Sequence, residues 1–351
     1  MKSPMPENRN VMLLALLLLA LSIPLSAAEK TKTLKKEFVV GQDVRLNIET
    51  SYGKVHLNVW DKNLMTIDVL VTAEASSEKN AQQLLDNITP VITGNSSQVD
   101  IVTRIGNTGS SGKNRSFSID YTINMPRSSS LNADTRFADL FLDESTGVAK
   151  INVEYGNLTI NKLTNPAADI TLKFSNASIF AAADMKLDAQ YSNLKSKSSG
   201  KVSCNSKFST LDMGELTSLG LTSGYDTYTI EQLKSVSGTA KFSNITINEL
   251  KQKLDLDMDY GGLDVKHVNP SFSMISLTAS FNGIDLGIPP SASYQLSADM
   301  SFGELNYPKG ANITVAEKSY TSKTYTGTVG SSKSPVSKVY IRGKNCDVKV
   351  F

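Results

Sequence analysis

The protein has 351 residues, and its 36 Lys and Arg nearly balance its 34 Asp and Glu, which gives a formal net charge of +2. This balance provides no basic excess for a nucleic-acid partner, and 2 His and 2 Cys spread far apart do not have the spacing of metal ligands. A hydrophobic content of 40% is typical of a chain that buries a core, so we expect a folded protein without cofactors.

Residues 1–28 have the pattern of a secretory signal peptide. A weakly positive start precedes an apolar run over 11–21, and Ser26 and Ala28 supply the small residues of a cleavage site. The alternative is a membrane anchor, but this run is shorter than the roughly 20 residues with which a helix crosses a bilayer. We therefore expect cleavage after Ala28, export to the periplasm or cell surface, and no stable membrane insertion of the mature chain.

Residues 29–130 combine alternating strands with one short helix. Ser77 is a typical helix N-cap, and it is followed by apolar residues at helical spacing, namely Ala81, Leu84, Leu85 and Ile88. Two further alternating stretches, 99–105 and 116–125, flank a loop rich in Gly, Ser and Asn. We interpret the region as a small α+β N-terminal cap, because the open end of a strand stack exposes unpaired backbone groups.

From residue 131 to residue 310 the chain repeats itself. An aromatic residue, a small or polar pair and an apolar residue recur, and from the second unit onward the intervals are 17–21 residues. The aromatic residues are Tyr52, Phe137, Tyr155, Phe174, Tyr191, Phe208, Tyr225, Phe242, Tyr260, Phe281 and Phe302. Such self-similarity predicts an all-β fold, a single-stack β-solenoid of about ten coils.

Each unit divides into two predicted strands. Before Tyr155, the apolar residues Val153 and Ile151 alternate with polar ones, which predicts a half-buried strand whose last inward residue is the aromatic. After the small pair, Leu158 and Ile160 predict a second strand. Two strands and two corners would make one coil.

The aromatic residues alternate between Phe and Tyr from the second to the tenth unit. This double repeat leaves two arrangements open, with either one unit or two units in each turn. We favour the arrangement with one unit in each turn. In this register Phe208 and Phe242 are expected in the interior.

Residues 311–351 contain a polar loop over 330–338 and then alternating apolar residues, which predict closing strands. Cys204 and Cys346 occupy inward positions of strands that lie several coils apart. Because a disulfide accepts a Cα separation of only about 4.4–6.8 Å, we expect two buried, reduced thiols.

Few residues have the pattern of a catalytic or ligand-binding site. The segment 106–113 resembles a phosphate-binding loop, but its first Gly is misplaced and Asn114 stands where Ser or Thr is required. Asp264 and Asp285 share an outward position on neighbouring coils and are the candidate ligand-facing residues. As a close carboxylate pair they keep a glycan-active enzyme as an alternative. His56 and His267 stand alone and are expected on the surface.

An Asn recurs two places after several of the aromatics, at Asn157, Asn176, Asn193 and Asn244. Stacked amides can hydrogen-bond along such a column, so a structural role is expected, with carbohydrate binding as the alternative.

The chain resembles a known family in its order of elements. The order of its elements is similar to that of the secreted putative-adhesin β-strand-repeat families of Bacteroidota. This order is an alternating strand, a Tyr52-Gly turn, a strand ending at Trp60-Asp61, a further strand, a short helix, two strands, Met125-Pro126 and the repeats. The resemblance implies an exported, non-enzymatic β-solenoid and carries no defined binding residues. We expect an adhesin-like binding or scaffolding module whose partner is an envelope protein or glycan. An accessory envelope-signalling protein that binds another envelope component is the alternative.

Overall fold

The computed structural model describes residues 28–107 and 115–351. The signal peptide predicted for residues 1–28 lies outside this part of the chain apart from Ala28, and so do residues 108–113 of the Gly-rich loop. Within the described residues, the chain folds into one sheet of 22 strands with a single helix, α1 (Glu78–Asp86). The all-β class predicted from the repeats is confirmed.

The strands β1 to β22 span, in chain order, Ala28–Val39, Arg45–Trp60, Leu64–Ala75, Ile88–Gly94, Gln98–Ile105, Ser116–Pro126, Ser130–Ser145, Ala149–Glu154, Asn157–Leu163, Ala168–Lys173, Asn176–Ala182, Met185–Gln190, Asn193–Lys207, Thr210–Gly224, Thr227–Val268, Met274–Leu286, Tyr294–Ser301, Leu305–Asn306, Asn312–Ser319, Ser322–Val329, Ser337–Lys344 and Asp347–Val350.

The N-terminal strands combine antiparallel and parallel pairing. β3 pairs antiparallel with both β1 and β6, and β4 pairs antiparallel with β5. β5 and β6 then pair in parallel with the two halves of β2. The helix α1 begins as predicted, because the Ser77 hydroxyl accepts a hydrogen bond of 3.3 Å from the backbone N–H of Asn80. Its apolar face buries Ala81, Leu84 and Leu85.

The repeat units are direct neighbours in the sheet. β2 pairs in parallel with β7, and from β7 onward the strands of one unit pair in parallel with the corresponding strands of the next. Ile170, for example, lies between Ile151 of the preceding unit and Leu187 of the following one. All three side chains are buried in one hydrophobic core. Each unit therefore contributes one layer.

The last strands of the chain lie inside the stack of layers. β21 pairs in parallel with β16 on one side and with β17 on the other, and β22 pairs with β16 and β18. Val339 is accordingly held between Ile275 and Leu296. The antiparallel strands β19 and β20 then cover β17. The layer that contains Phe302 is thus separated from the layer of Phe281 by the C-terminal strands.

Both cysteines are buried and free, as predicted. The Cys204 sulfur lies 3.4 Å from the hydroxyl of Tyr228, and the Cys346 thiol donates to the carbonyl of Ala279 at 3.7 Å. Burial raises the pKa of Cys204 to about 11 and also raises the pKa of Cys346. Neither thiol is poised for nucleophilic chemistry, since the thiolate is the reactive form.

Candidate functional site: an exposed aromatic ladder

The aromatic residues of the repeat lie at the surface, and the prediction that Phe208 and Phe242 are interior is wrong. Their side chains are 41% and 45% exposed. The cause is the backbone, since all eleven repeat aromatics have φ between 49° and 61°. This left-handed conformation is uncommon for a bulky residue. It interrupts the strand alternation, so the aromatic turns outward and the residue after it turns inward.

Ten of these side chains form a continuous stack, which we call the aromatic ladder. Its members are Tyr52, Phe137, Tyr155, Phe174, Tyr191, Phe208, Tyr225, Phe242, Tyr260 and Phe281. Neighbouring ring centroids are 4.7–5.2 Å apart, and the ring planes are within 1–16° of parallel. The spacing matches the distance between hydrogen-bonded strands, so each layer supplies one ring.

The two ends of the ladder are closed differently. At the N-terminal end Phe117 tilts over Tyr52, with centroids 5.1 Å apart and an interplanar angle of 60°. At the other end the register places Asn345 beside Phe281, because Ser280 pairs with Lys344. Asn345 has the same left-handed conformation, with φ of 49°. An Asn at a ladder position is therefore compatible with the fold.

The ladder presents ring edges to solvent. Each ring is covered on its faces by its neighbours, while 41–51% of each ladder residue remains exposed. The edge of an aromatic ring carries the positive part of its quadrupole, and the face carries the negative part. The exposed stripe is thus apolar and slightly electropositive, with a Tyr hydroxyl on every second layer.

A buried polar column supports the ladder from inside. It consists of Ser175, Ser192, Ser209, Asp226 and Ser243, each directly after a ladder residue. The backbone N–H groups of Ser175 and Ser192 each donate to the hydroxyl of the next serine at 3.2 Å. The backbone N–H of Ser209 donates to the Asp226 carboxylate at 2.7 Å, and the backbone N–H of Asp226 donates to the Ser243 hydroxyl at 3.1 Å. These bonds satisfy the backbone where the chain turns.

Asp226 is a buried carboxylate held entirely by hydrogen bonds. Besides the backbone of Ser209, the hydroxyls of Ser206 and Ser223 donate to it at 2.7 Å, and the N–H of Gly224 donates at 2.9 Å. Four donors offset the cost of removing a carboxylate from water. Sequence reasoning missed this network, although the polar residue that directly follows each aromatic from Phe174 to Phe242 was its signal.

An amide column borders the ladder on one side. The Asn157 amide donates to Asp139 at 2.7 Å, Asn176 donates to Asn157 at 3.2 Å, and Asn193 donates to Asn176 at 3.0 Å. The predicted stacking of amides is confirmed for these three residues. In the next two layers Thr replaces Asn, so the amide column ends before Asn244.

A column of cations borders the ladder on the other side. Arg136, Lys173, Lys207 and Lys241 each directly precede a Phe of the ladder, so they lie on alternate layers. The Arg136 guanidinium binds the Glu154 carboxylate at 2.7 Å, which raises the pKa of Arg136. Within the described part of the chain, the three lysines form no ion pair. We call these three residues the lysine column.

Asp264 and Asp285 are neighbours in register on adjacent strands, outside the ladder. The Asp264 carboxylate is bound by the ammonium of Lys266, and Asp285 lies in register with Lys349 on its other side. The structure therefore brings the two carboxylates side by side within a row that also contains cations.

The remaining candidates lie apart from one another. His56 and His267 are both exposed, as expected, and His56 packs near Phe141 with ring centroids 5.8 Å apart. Among residues 28–107 and 115–351, no group of three or more His, Cys, Asp or Glu side chains could hold a metal ion. None of the helical structure in those same ranges has the length and apolar character needed to cross a membrane.

Neither a family model nor a curated protein matches the sequence. Solved structures are similar at low identity. One is a putative cell adhesion protein from Clostridium sporogenes, with 10% identity over 93% of this chain and 99% of that chain and a TM-score of 0.21. Another is a putative adhesin from Parabacteroides distasonis, with 11% identity over 72% and 93% of the two chains and a TM-score of 0.36.

A putative adhesin from Bacteroides fragilis has 12% identity over 91% of this chain and 97% of that chain, with a TM-score of 0.26. The solved structures similar to this chain thus include putative adhesins of Bacteroidota, in line with the family resemblance of the sequence. Because their TM-scores are below 0.5, these structures carry no argument about function.

Proposed function

We propose that the protein is an exported, non-enzymatic binding or scaffolding module of the bacterial cell envelope, with the aromatic ladder as its adhesin-like binding surface. The observation that carries this proposal is the unbroken stripe of ten exposed rings. Large contiguous apolar patches are rare on monomeric proteins, and where they occur they mark interaction sites. A straight stripe along the stack suits an extended partner.

We further propose that the layers are coils of a single β-solenoid with one repeat unit in each turn. The parallel pairing of each unit with the next supports this arrangement, and so does the single core that runs through the layers. In the proposed division, residues 29–130 form the N-terminal cap, 131–310 the repeats, and 311–351 a C-terminal region. The sequence predicted that this last region closes the stack, but its strands β21 and β22 pair inside the stack instead. A solenoid suits a scaffold because its regular repeat generates a long, uniform surface.

Export is proposed on the sequence pattern of residues 1–28. The expected mature protein begins at Glu29 and carries no lipid, since no Cys lies near the cleavage point. Intact mass spectrometry of the protein from the envelope fraction tests both points. A mass that retains residues 1–28, or that includes an acyl chain, would contradict them.

The binding proposal is tested with ladder variants that preserve the backbone. Asn occupies a ladder position in this chain at Asn345, so the double variant Tyr191→Asn and Tyr225→Asn removes two rings without forbidding the left-handed conformation. Tyr320→Asn is the matched control, because Tyr320 is fully exposed and lies outside the ladder.

The purified proteins are titrated with isolated envelope fragments of the source bacterium in a sedimentation assay. We expect the double variant to bind at least tenfold more weakly than the wild type, with an unchanged circular dichroism spectrum, and the control to bind like the wild type. Equal binding by all three proteins would refute the ladder as the binding surface.

Asp264 and Asp285 are proposed as a second ligand-facing position of the same module. Their mixed row with Lys266 and Lys349 suits polar contacts better than hydrolysis, because the Asp264 carboxylate is already engaged by a cation. The double variant Asp264→Asn and Asp285→Asn should weaken binding to the same envelope fragments. Release of sugar products from those fragments by the wild type, lost in this variant, would instead support the enzyme alternative.

A further inference from the structure

We propose that the ladder segment from Phe174 to Phe242 binds a linear acidic polysaccharide in which acidic and neutral sugars alternate, extended along the stack of layers. The inference rests on the proposed function, because it names the class of partner for that surface. It is carried by the position of the lysine column beside the exposed ring edges.

The hydrogen-bond donors along this segment alternate from layer to layer. Lys173, Lys207 and Lys241 stand beside Phe rings, which have no hydroxyl, whereas Tyr191 and Tyr225 supply phenol groups on the layers between them. Every layer thus offers one donor, and every second layer offers a positive charge. Since strands are about 4.8 Å apart, the ammonium groups recur about every 10 Å.

The charge of the lysine column is available to a partner. In register, Glu154 is the carboxylate beside Lys173, but it is bound to Arg136 at 2.7 Å. Asp259 precedes Tyr260 in the layer next to Lys241, and the two side chains form no ion pair. The Lys207 ammonium lies 5.4 Å from the centroid of the Phe208 ring and forms no ion pair with a described residue, so its N–H donors are free for a ligand. The whole chain carries a net charge of only +2, so this column is a local feature. A complementary ligand is therefore anionic on every second unit.

The exposed ring edges favour the same ligand. Neutral sugars are commonly recognised by packing their C–H face on an aromatic face, but the ladder rings cover one another's faces. The electropositive edges instead favour the oxygen atoms of carboxylates and hydroxyls. The bordering amides and hydroxyls of Asn176, Asn193, Thr210 and Thr227 can bond to sugar hydroxyls on the far side.

The layer spacing distinguishes a polysaccharide from other linear polyanions. In an extended peptide, side chains on one face recur about every 6.8 Å, which matches neither one layer nor two. Single-stranded nucleic acids bind by stacking bases on aromatic faces, and the ladder has none free. An extended pyranose chain advances by close to one layer per sugar, so alternating acidic and neutral sugars would meet the lysine and tyrosine layers in turn.

The test uses calorimetric titration with hyaluronan oligosaccharides, whose glucuronate and N-acetylglucosamine units alternate. A chitin oligosaccharide of equal length is the neutral probe, and poly-L-glutamate is the peptide polyanion. The variant combines Lys173→Gln, Lys207→Gln and Lys241→Gln. Its control combines Lys36→Gln, Lys309→Gln and Lys333→Gln, which remove the same charge from exposed positions outside the ladder.

We expect the wild type to bind hyaluronan at least tenfold more tightly than either other probe. The lysine-column variant should bind hyaluronan at least tenfold more weakly than the wild type, and the control variant less than twofold more weakly. The double variant Tyr191→Phe and Tyr225→Phe should bind a few-fold more weakly. Binding should also weaken with added salt. No binding to hyaluronan, equal binding of chitin or poly-L-glutamate, or full binding by the lysine-column variant would overturn the proposal.

Failure of this inference can be told apart from failure of the proposed function. If the Asn variants of the ladder lose envelope binding while the lysine-column variant retains it, the ladder is a binding surface for a partner other than an acidic polysaccharide. If the wild type self-associates in sedimentation and the Asn variants do not, the ladder is occupied by a second copy of this chain, and the inference is overturned.

Discussion

Tyr225 and Phe242 stack with their ring centroids 4.7 Å apart and their planes 2° from parallel. Both rings project from left-handed residues, with φ of 61° and 53°. Directly after them, Asp226 and Ser243 point inward and are joined by a hydrogen bond of 3.1 Å. In these layers the unfavourable backbone conformation is therefore offset both by ring stacking on the outside and by polar contacts on the inside.

The stacked rings predict a particular order of stability for variants of Phe208. Phe208→Asn should cost about 1–3 kcal/mol, because it removes two stacking contacts worth about 0.5–1.5 kcal/mol each. Phe208→Ala should cost about 1 kcal/mol more, because Ala tolerates the left-handed conformation less well than Asn does. Denaturant midpoints measure both values. A smaller loss for Ala than for Asn would show that the left-handed backbone does not govern this position.

A second prediction concerns Gly261, which follows Tyr260 with φ of +149°. A Cβ at this position would lie 2.0 Å from the carbonyl oxygen of Ser243 in the neighbouring layer. Gly261→Ala should therefore cost about 3 kcal/mol, from strain and from displaced backbone. Gly283→Ala is the matched control, because a Cβ there meets no atom within 4 Å.

The control should change the free energy of unfolding by less than about 0.5 kcal/mol. Urea denaturation measures the free energy of unfolding of both variants. Similar stabilities for both would show that the layers are less closely spaced at Gly261 than the structure places them.

Alkaline pH should destabilise the fold through Cys204. Its pKa is raised from 9.0 to about 11 by burial, so between those pH values the unfolded chain releases a proton that the folded chain retains. The free energy of unfolding therefore falls as pH rises across this window, by up to about 3 kcal/mol. Tyr294, whose pKa is raised to about 12 by burial, extends the loss to higher pH.

Cys204→Ala should make the stability of the protein less dependent on pH between 9 and 11. Leu221→Ala is the control, because Leu221 is the buried neighbour of Cys204 in register and does not titrate. It should lower stability equally at every pH. If the two variants have the same alkaline slope as the wild type, the Cys204 thiol is not protected by burial.

The alternating pattern was sufficient to predict the strands and their buried face. Ile151, Ile170 and Leu187 lie inward as the period of two requires, and Ser77 caps the helix as its sequence predicts. The same pattern placed the aromatics inside because a period of two assumes extended backbone at every residue. One left-handed residue in each layer reverses the faces, and the small polar residue that follows, such as Ser209, is the sequence signal of that reversal.

The insertion of the last strands could not be predicted from the sequence. Val339 alternates with polar neighbours like any strand residue, and nothing local specifies that its partners are Ile275 and Leu296. Parallel pairing between strands so far apart in sequence is decided by packing in the assembled core. The sequence shows that each residue of the lysine column directly precedes a Phe. A binding role for these lysines could be inferred only once the rings were known to face outward.

Chemical footprinting of tyrosines tests most directly the claim that the aromatic ladder is the exposed binding surface. In the free protein, tetranitromethane should nitrate the ladder residues Tyr52, Tyr155, Tyr191, Tyr225 and Tyr260, and should leave the buried Tyr121, Tyr228 and Tyr294 unmodified. With envelope fragments bound, we expect Tyr191 and Tyr225 to be protected at least fivefold while Tyr320 and Tyr340 react as before. Ladder tyrosines that react equally in the free and bound protein would contradict the account.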